Sequence, residues 1–258
     1  MLNLQKNTLE KNKNSDFIFG IRAIIEAIRA EKDIDKLLIQ LDIGKSGLMG
    51  DLLALARERQ ILVQRVPVYK LNKITAKNHQ GAIAYLSAVY YASYENILQD
   101  VFEQGKTPLF LLLDGITDVR NLGAIARSAE CAGVNCLIVP EKNSAQISND
   151  AIKTSAGALH YLPVSRVKSL LQAVKYLKSA GIQVVACTEK TDNLLYEADL
   201  SLPTAIVMGA EDLGISKEIL READVLAKIP MFGEIGSLNV AVSAGIMLYE
   251  AVRQRRQV

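Results

Sequence analysis

The chain has 258 residues, half of them hydrophobic, with 30 Lys and Arg against 28 Asp and Glu and a net charge of +2. This length and composition predict a globular protein with one large or two modest domains and a buried core. No apolar stretch reaches the roughly 18 to 20 residues of a membrane span, and residues 1 to 16 read as a polar, flexible N-terminus without a signal-peptide core, so a cytoplasmic protein without membrane contact is predicted.

Residues 17 to 93 show a compact alternation of short helices and strands. The predicted elements are a helix from Gly20 to Ala30, a strand from Lys36 to Gln40, a helix from Met49 to Arg59, a strand from Ile61 to Arg65, a helix that starts at Pro67 and runs to about Lys77, and a strand from Ala82 to Val89. The segment is therefore predicted to be a small α/β/α domain. A linker helix or loop over residues 94 to 107 follows it.

The positive charge is concentrated in this N-terminal part. Residues 1 to 93 carry 14 Lys and Arg against 9 Asp and Glu, whereas residues 108 to 258 carry 15 against 16. No acid occurs between residues 59 and 93, a stretch that contains Arg59, Arg65, Lys70, Lys73 and Lys77. Such a surface attracts a polyanion such as RNA, and a solvated basic face without a partner is the alternative.

Residues 108 to 258 alternate strands and helices, which is the pattern of a parallel sheet covered on both faces. The predicted strands are Leu109 to Leu113, Cys136 to Val139, Ile182 to Cys187, Ala205 to Met208 and Leu226 to Ile229. The predicted helices fall near Leu122 to Ala132, Ile147 to Ser155, Val167 to Ala180, Ser216 to Ala223 and Leu238 to Gln254. The predicted fold class is α/β, with ligands outside the carboxyl ends of the strands.

Three loops after predicted strands carry polar residues: Asp114 to Glu130, Gly209 to Gly214, and residues 229 to 239 before the last helix. A helix start offers unpaired N–H groups and a positive dipole end, so polar side chains there can hold a ligand as well as cap the helix. Ser237 is the predicted N-cap of the last helix. A capped amphipathic helix with no ligand is the alternative for that segment.

Cysteine and histidine usage limits the possible chemistry. The cysteines Cys131, Cys136 and Cys187 lie among apolar neighbours at no metal-ligand spacing, which predicts buried, reduced thiols. The two histidines, His79 and His160, argue against a zinc site or a histidine-based acid–base mechanism. No glycine loop for a dinucleotide or a nucleoside triphosphate occurs either.

Together, the three loops resemble the signature motifs of the SpoU (TrmH) family of RNA ribose 2′-O-methyltransferases over residues 108 to 258, and are most similar to its large-subunit rRNA guanosine branch. The turn His79-Gln80-Gly81 before a strand resembles the L30e-like RNA-binding domain that precedes the catalytic domain in many members. The resemblance implies S-adenosyl-L-methionine as cofactor without a metal, an RNA substrate, a deep trefoil knot, and a homodimer with its active sites at the interface.

The resemblance also implies a catalytic set: Asn121, Arg127, Glu211, Ser237 and Asn239. In the family the arginine that matches Arg127 activates the ribose hydroxyl. Because a guanidinium is a poor base, we expect it to position a phosphate or stabilise a developing alkoxide, with a surface salt bridge as the alternative. Glu211 is expected to hold either Arg127 or an RNA hydroxyl.

Backbone amides and apolar walls are expected to surround the adenosine of the cofactor. Taken singly, Met208, Ile229 and Leu238 are also typical core residues at strand ends. By resemblance, the cofactor-binding residues are Thr188, Met208, Gly209, Ala210, Ile229, Met231 and Leu238.

The motifs depart from the family pattern at three places. Ala210 stands where Asn is common, a substitution typical of the rRNA guanosine branch. Asp212-Leu213 replaces a usual Gly-Glu, which costs backbone freedom unless Asp212 takes the left-handed conformation. Val119 replaces a common proline and leaves its turn less rigid.

The predicted function is methyl transfer to a ribose 2′-hydroxyl, on a guanosine of large-subunit rRNA. A tRNA 2′-O-methyltransferase is one alternative. A non-catalytic RNA-binding or ribosome-assembly factor on the same fold is the other, and the intact polar residues of the motifs argue against it.

Overall fold

The structure is a computed structural model that describes residues 17–44, 46–59 and 61–256. The N-terminal segment of residues 1 to 16, predicted to be flexible, lies outside the described residues. The chain divides into two compact units, Met1–Ser87 and Ala88–Val258. No helix of the described part is long and apolar enough to cross a membrane.

A four-stranded sheet forms the centre of the first unit. In chain order the elements of this unit are β1 (Phe17–Phe19), α1 (Ile21–Arg29), β2 (Ile34–Gln40), α2 (Leu48–Glu58), β3 (Val63–Val66), α3 (Val68–Ile74) and β4 (Ala82–Leu86). The strand order in the sheet is β1-β4-β2-β3, with β2 and β3 parallel and β4 antiparallel to both of its neighbours. Leu37 and Ile39 point to the face that α1 and α2 cover, and Leu38 points to the face that α3 covers through Leu71.

Local sequence patterns were insufficient at three places in this unit. The sequence predicts no strand at Phe17–Phe19, because three residues carry too little alternation, yet this segment pairs with β4. The predicted strand to Val89 ends at Leu86, and the helix predicted to reach Lys77 ends at Ile74. Pro67 occupies the N-cap position of α3 and is not its first helical residue.

The second unit contains a six-stranded sheet. In chain order its elements are α4 (Tyr94–Glu103), β5 (Leu109–Asp114), α5 (Val119–Cys131), β6 (Cys136–Pro140), α6 (Asn149–Thr154), β7 (Val164–Val167), α7 (Leu170–Ser179), β8 (Gln183–Cys187), β9 (Thr204–Gly209), α8 (Lys217–Glu222), β10 (Val225–Ala227) and α9 (Val240–Arg255), with short 3-10 helices at Ala158–His160 and Leu195–Glu197. The strand order is β10-β8-β9-β5-β6-β7, and every pairing is parallel. The predicted parallel α/β fold is therefore confirmed.

Strand β5 shows why its apolar run forms a central strand. Leu109, Leu111 and Leu113 belong to the core under α5, α6 and α9, whereas Phe110 and Leu112 belong to the core under α4, α7 and α8. All five side chains are buried. A strand covered on both faces needs a continuous apolar run, which explains the uninterrupted segment.

Two elements of this unit differ from the sequence-based expectations. β7 (Val164–Val167) is not predicted, and Val167 ends this strand where the sequence places a helix start. The helix begins after Ser169, whose hydroxyl accepts a hydrogen bond from the Gln172 amide at 3.3 Å. Within residues 94 to 107, Tyr94–Glu103 is helical and buries Tyr94 and Leu98 in the core of the second unit. The trefoil knot stays a prediction from the resemblance.

Arg255 binds the end of α9 to the amino-terminal edge of the six-stranded sheet. Its guanidinium donates hydrogen bonds to the carbonyls of Leu200 at 3.0 Å, Thr107 at 3.1 Å, Pro108 at 2.9 Å and Leu202 at 2.7 Å. Burial lowers the pKa of Arg255 from its ordinary value, but a guanidinium still stays charged at neutral pH. One side chain therefore joins three separate segments of the chain.

Candidate active site

The candidate site lies at the carboxyl edge of the six-stranded sheet. Strands β5 and β9 run side by side, and Asp114 at the end of one pairs with Gly209 at the end of the other. Gly115 has a φ of 78°, and a Cβ there would lie 3.4 Å from the Cβ of Ala210. The loops after these two strands therefore start in contact, as the sequence predicts for parallel strands.

The first loop presents Asn121 on the opening turn of α5. Asp118 is the N-cap, and its Oδ1 accepts hydrogen bonds from the amides of Arg120 at 2.6 Å and Asn121 at 3.2 Å. Val119 is the first helical residue, a position at which proline is also tolerated. The Asp118 cap thus holds the turn that Val119 leaves without a proline.

The second loop is a tight turn built around glycine. A Cβ on Gly209 would lie 2.3 Å from the carbonyl carbon of Gly214 and 2.4 Å from the amide of Ile215, so the backbones approach too closely for any side chain. The Gly214 amide donates to the Ala210 carbonyl at 2.9 Å and closes the turn. Gly214 takes a positive φ of 67°. Asp212, which stands where the family usually has glycine, does not take the left-handed conformation.

The third loop ends at an N-cap different from the predicted one. Asn239 caps α9, with its Oδ1 accepting from the Ala241 amide at 3.0 Å, and the helix starts at Val240. The assignment of the cap to Ser237 was wrong, because the helix starts two residues later than a Ser237 cap requires. Ser237 is exposed in the preceding segment, and Asn239 belongs to a residue type that is preferred at the N-cap.

Side chains from all three loops meet in one hydrogen-bonded cluster, which we call the Asn–Glu–Asn cluster (Asn121, Glu211 and Asn239). Glu211 Oε1 accepts from Asn121 Nδ2 at 3.2 Å, from Asn239 Nδ2 at 2.6 Å and from the Val240 amide at 3.2 Å. Asn239 Nδ2 also donates to Asn121 Oδ1 at 3.0 Å. Residues up to 118 positions apart in the sequence are thereby held together.

A cavity of about 740 Å³ opens beside this cluster, between the ends of β8, β9 and β10 and the start of α9. Its wall includes Glu211 and Ser237. Met208 and Ile229 are buried, as the core alternative requires, whereas Leu238 is 38% exposed and is no core residue. The cavity is also lined by every one of the predicted cofactor-binding residues: Thr188, Met208, Gly209, Ala210, Ile229, Met231 and Leu238.

Within the single chain, Arg127 lies outside both the Asn–Glu–Asn cluster and the cavity. It lies exposed on α5, and it does not line the cavity. Within residues 17–44, 46–59 and 61–256 it has no hydrogen-bond or ion-pair partner, so neither the alternative of a surface salt bridge nor a pairing of Arg127 with Glu211 is seen. Glu211 binds the two asparagines instead.

The cysteines are all free, but one prediction about them was wrong. Cys136 is buried and Cys187 is half-buried, whereas Cys131 is exposed on the last turn of α5. Burial raises the pKa of Cys136 to about 12, and burial together with the charge of Glu189 raises the pKa of Cys187 to about 11. Both thiols are therefore poorly nucleophilic at neutral pH, including Cys187 on the cavity wall.

Several contributors to the site were missed in the sequence. Asp118 directly before the apolar helix is a recognisable N-cap signal in the sequence. The Val240 amide and the side chain of Lys190, which also lines the cavity, have no local signal because only the fold brings them to the site. In the described part of the chain, no group of three His, Cys, Asp or Glu could hold a metal ion.

Two protein-family models match this chain. The model of the SpoU rRNA Methylase family matches residues 108–249, more than half of the chain. The chain belongs to the SpoU family. The predicted membership is confirmed, and a second model, described as RNA 2′-O ribose methyltransferase substrate binding, matches residues 17–92 of this SpoU-family chain.

Individual relatives agree with the SpoU assignment. A protein of Staphylococcus saprophyticus described as a TrmH family tRNA/rRNA methyltransferase is 35% identical over 241 residues, covering 93% of this chain and 96% of its own length. The crystal structure of the SpoU methyltransferase AviRb from Streptomyces viridochromogenes, in complex with the cofactor AdoMet, is similar at 26% identity and a TM-score of 0.60, covering 94% of this chain and 91% of that one. An AdoMet-bound rRNA methyltransferase from Sinorhizobium meliloti is similar at 28% identity and a TM-score of 0.58, covering 92% and 86%.

Proposed function

We propose that the chain transfers a methyl group from S-adenosylmethionine to a ribose 2′-hydroxyl of RNA, on a guanosine of large-subunit rRNA in the cytoplasm. The observation that carries the proposal is the Asn–Glu–Asn cluster from three separate loops, placed beside a cavity of about 740 Å³. A pocket of that volume suits a small-molecule cofactor, and polar groups that converge at its edge suit the reacting end of a substrate.

The cavity wall fits S-adenosylmethionine. Met208, Ile229 and Leu238 supply apolar surface for adenine, and the turn from Gly209 to Gly214 also lines the cavity. The AviRb structure, with its AdoMet, supports this assignment. The cofactor supplies an activated methyl group, so the chain has to align the attacking oxygen and exclude water.

Glu211 is the residue that we assign to hold the ribose hydroxyl. Its Oε1 already accepts three hydrogen bonds, whereas its Oε2 has no partner among the residues that the structure describes. Oε2 can accept a hydrogen bond from the ribose 2′-hydroxyl and so orient this oxygen for attack on the methyl group. Asn121 and Asn239 fix the carboxylate and are positioning residues in this scheme, and Ser237 offers a further hydroxyl from the cavity wall.

Arg127 enters the site from a second copy of the chain in this proposal. Its guanidinium is exposed and without a partner in the described residues, and a cation near the attacking oxygen stabilises the negative charge that develops there. We propose a two-fold homodimer in which Arg127 of the partner subunit completes the site. The exposed apolar residues before and along α9 support such an interface: Phe232, Ile235, Val242 and Tyr249.

Large-subunit rRNA is the substrate that we favour over tRNA. The Sinorhizobium meliloti structure is described as an rRNA methyltransferase and covers nearly the whole chain, including the basic first unit. A tRNA substrate is the second candidate, because the Staphylococcus saprophyticus relative is described as acting on tRNA or rRNA. Transfer of tritiated methyl groups to purified rRNA and tRNA, followed by mapping of 2′-O-methyl positions, distinguishes the two.

Arg127→Ala tests the reaction itself. We expect loss of methyl transfer with unchanged cofactor affinity, and no effect of Arg221→Ala, which removes another exposed arginine, from α8 of the same unit. Full activity of Arg127→Ala would remove this residue from the mechanism. Thermal unfolding with and without S-adenosylmethionine tests the non-catalytic alternative, because a bound cofactor raises the melting temperature and a pure RNA-binding module shows no shift.

A further inference from the structure

We propose that Tyr69, on α3 of the first unit, stacks on an unpaired base of the RNA while Lys70, Lys73 and Lys77 contact the neighbouring phosphates. The inference rests on the proposed function and narrows its substrate to RNA that presents a loop or bulge to this unit. It assigns a base-contacting side chain within the segment that matches the substrate-binding model.

Helix α3 turns its largest side chain away from the core. Leu71 is fully buried and anchors the helix, whereas Tyr69 is 54% exposed and its neighbour Val68 is 43% exposed. A tyrosine ring in that position contributes little to the core of the unit. An exposed aromatic face beside positive charge is, however, the platform on which single-stranded nucleic acid stacks its bases.

The charges around the ring are available to a ligand. Lys73 Nζ lies 5.7 Å from the centre of the Tyr69 ring. Neither Lys70, Lys73 nor Lys77 has a side-chain hydrogen bond or ion pair within the described ranges. By contrast, Arg59 approaches Glu31 at 4.0 Å and Arg65 donates to the Leu41 carbonyl at 3.0 Å. Of the five basic residues of this stretch, the three lysines are therefore the ones without a hydrogen-bond or ion-pair partner in the described ranges, and Lys73 lies over the exposed Tyr69 ring.

The fold holds this surface in place. The Gly81 amide donates to His79 Nδ1 at 3.0 Å, so the other ring nitrogen, Nε2, carries the hydrogen and donates to Asn72 Oδ1 at 2.8 Å. This bond ties α3 to the turn before β4. Tyr69 therefore projects from a fixed helix, which reduces the entropy lost when it binds a base.

The geometry favours unpaired over paired RNA. In an A-form duplex the bases are stacked on each other and their faces are inaccessible, whereas loop and bulge bases can be splayed onto an aromatic side chain. Lysines that contact phosphates bind either form. Tyr69 should consequently contribute only to the binding of RNA with an unpaired base.

The test compares Tyr69→Ala, Tyr69→Phe and the control Tyr161→Ala, which truncates an 80% exposed tyrosine of the second unit. Each full-length variant is titrated with an RNA hairpin that carries 2-aminopurine in its loop and with a fully paired duplex of the same length. We expect Tyr69→Ala to weaken hairpin binding by about 5- to 100-fold and to abolish the fluorescence change, with duplex binding unchanged. Tyr69→Phe and Tyr161→Ala should behave like the unmodified protein.

The lysines provide an independent arm. Replacing Lys70, Lys73 and Lys77 by Gln should weaken binding of both RNAs and flatten the salt dependence of the affinity. Equal hairpin binding by Tyr69→Ala and the unmodified chain would overturn the stacking inference. The proposed function has its own test, because it fails if the unmodified protein transfers no methyl group from S-adenosylmethionine to RNA.

Discussion

Gly209→Ala is the substitution that tests the cofactor cavity most directly. The added Cβ would lie 2.3 Å from a backbone atom of Gly214, whereas ordinary contacts begin at 3.4 Å, so the turn from Ala210 to Gly214 must retreat by about 1 Å. Overpacking of this kind lowers the free energy of unfolding by about 1–3 kcal/mol. Because the same turn forms the cavity wall, a displacement of about 1 Å should reduce methyl transfer by about 100-fold.

The matched control is Gly236→Ala, which adds the same methyl group to the same cavity. No atom lies within 4 Å of a Cβ at residue 236, and its backbone is outside the left-handed region. Urea unfolding followed by circular dichroism measures stability, and calorimetric titration with S-adenosylmethionine measures affinity. If Gly209→Ala bound the cofactor as tightly as Gly236→Ala, the close approach of the two backbones would not shape the cavity and the reasoning would fail.

Three further predictions concern stability and thiol reactivity. Arg255→Ala removes four hydrogen bonds to backbone carbonyls and should lower the free energy of unfolding by about 2–4 kcal/mol in urea, with partial recovery in Arg255→Lys. The hydrogen bond from Arg253 lowers the pKa of Glu250 in the folded protein. The ionised carboxylate therefore stabilises the fold above the pKa of an unfolded glutamate, and this stabilisation is lost as the pH falls through the pKa of the folded state. Glu250→Gln should flatten the acid side of the curve of unfolding free energy against pH. In a timed iodoacetamide reaction read by mass spectrometry, exposed Cys131 should react first, while Cys187, with its pKa raised to about 11, should react slowly and more slowly still with S-adenosylmethionine.

Each of these predictions has an opposing outcome. An unchanged urea midpoint in Arg255→Ala would mean that water replaces the lost donors without cost. Parallel stability curves for Glu250→Gln and the unmodified chain would show that this carboxylate does not contribute through its charge. A reaction rate of Cys187 that is insensitive to the cofactor would argue that the donor binds elsewhere.

Much of the fold of the second unit follows from local sequence. The five apolar residues from Leu109 to Leu113 form a strand buried on both faces, and the alternation of such runs with helical segments implies a parallel sheet. Parallel strands direct their carboxyl ends to one edge of the sheet, so the position of each motif after a strand places Asn121, Glu211 and Asn239 at that edge. The predicted cofactor residues share the cavity for the same reason.

Other features depend on contacts that local sequence does not contain. The short strands Phe17–Phe19 and Val164–Val167 exist because they pair with neighbours distant in the chain, and their own alternation is too brief to reveal them. The exposure of Cys131 likewise follows from which face of α5 meets the core.

The family, the parallel α/β fold and the three loops of the site were predictable from the sequence, because apolar periodicity and the residue types of each motif can be read along the chain. The fold was needed to show that Asn239 and not Ser237 caps α9. It also shows that Glu211 binds two asparagines, while Arg127 has no partner among the described residues. Hydrogen bonds between residues 28 to 118 positions apart are chosen by packing, since each polar group takes the partner that the fold brings within reach.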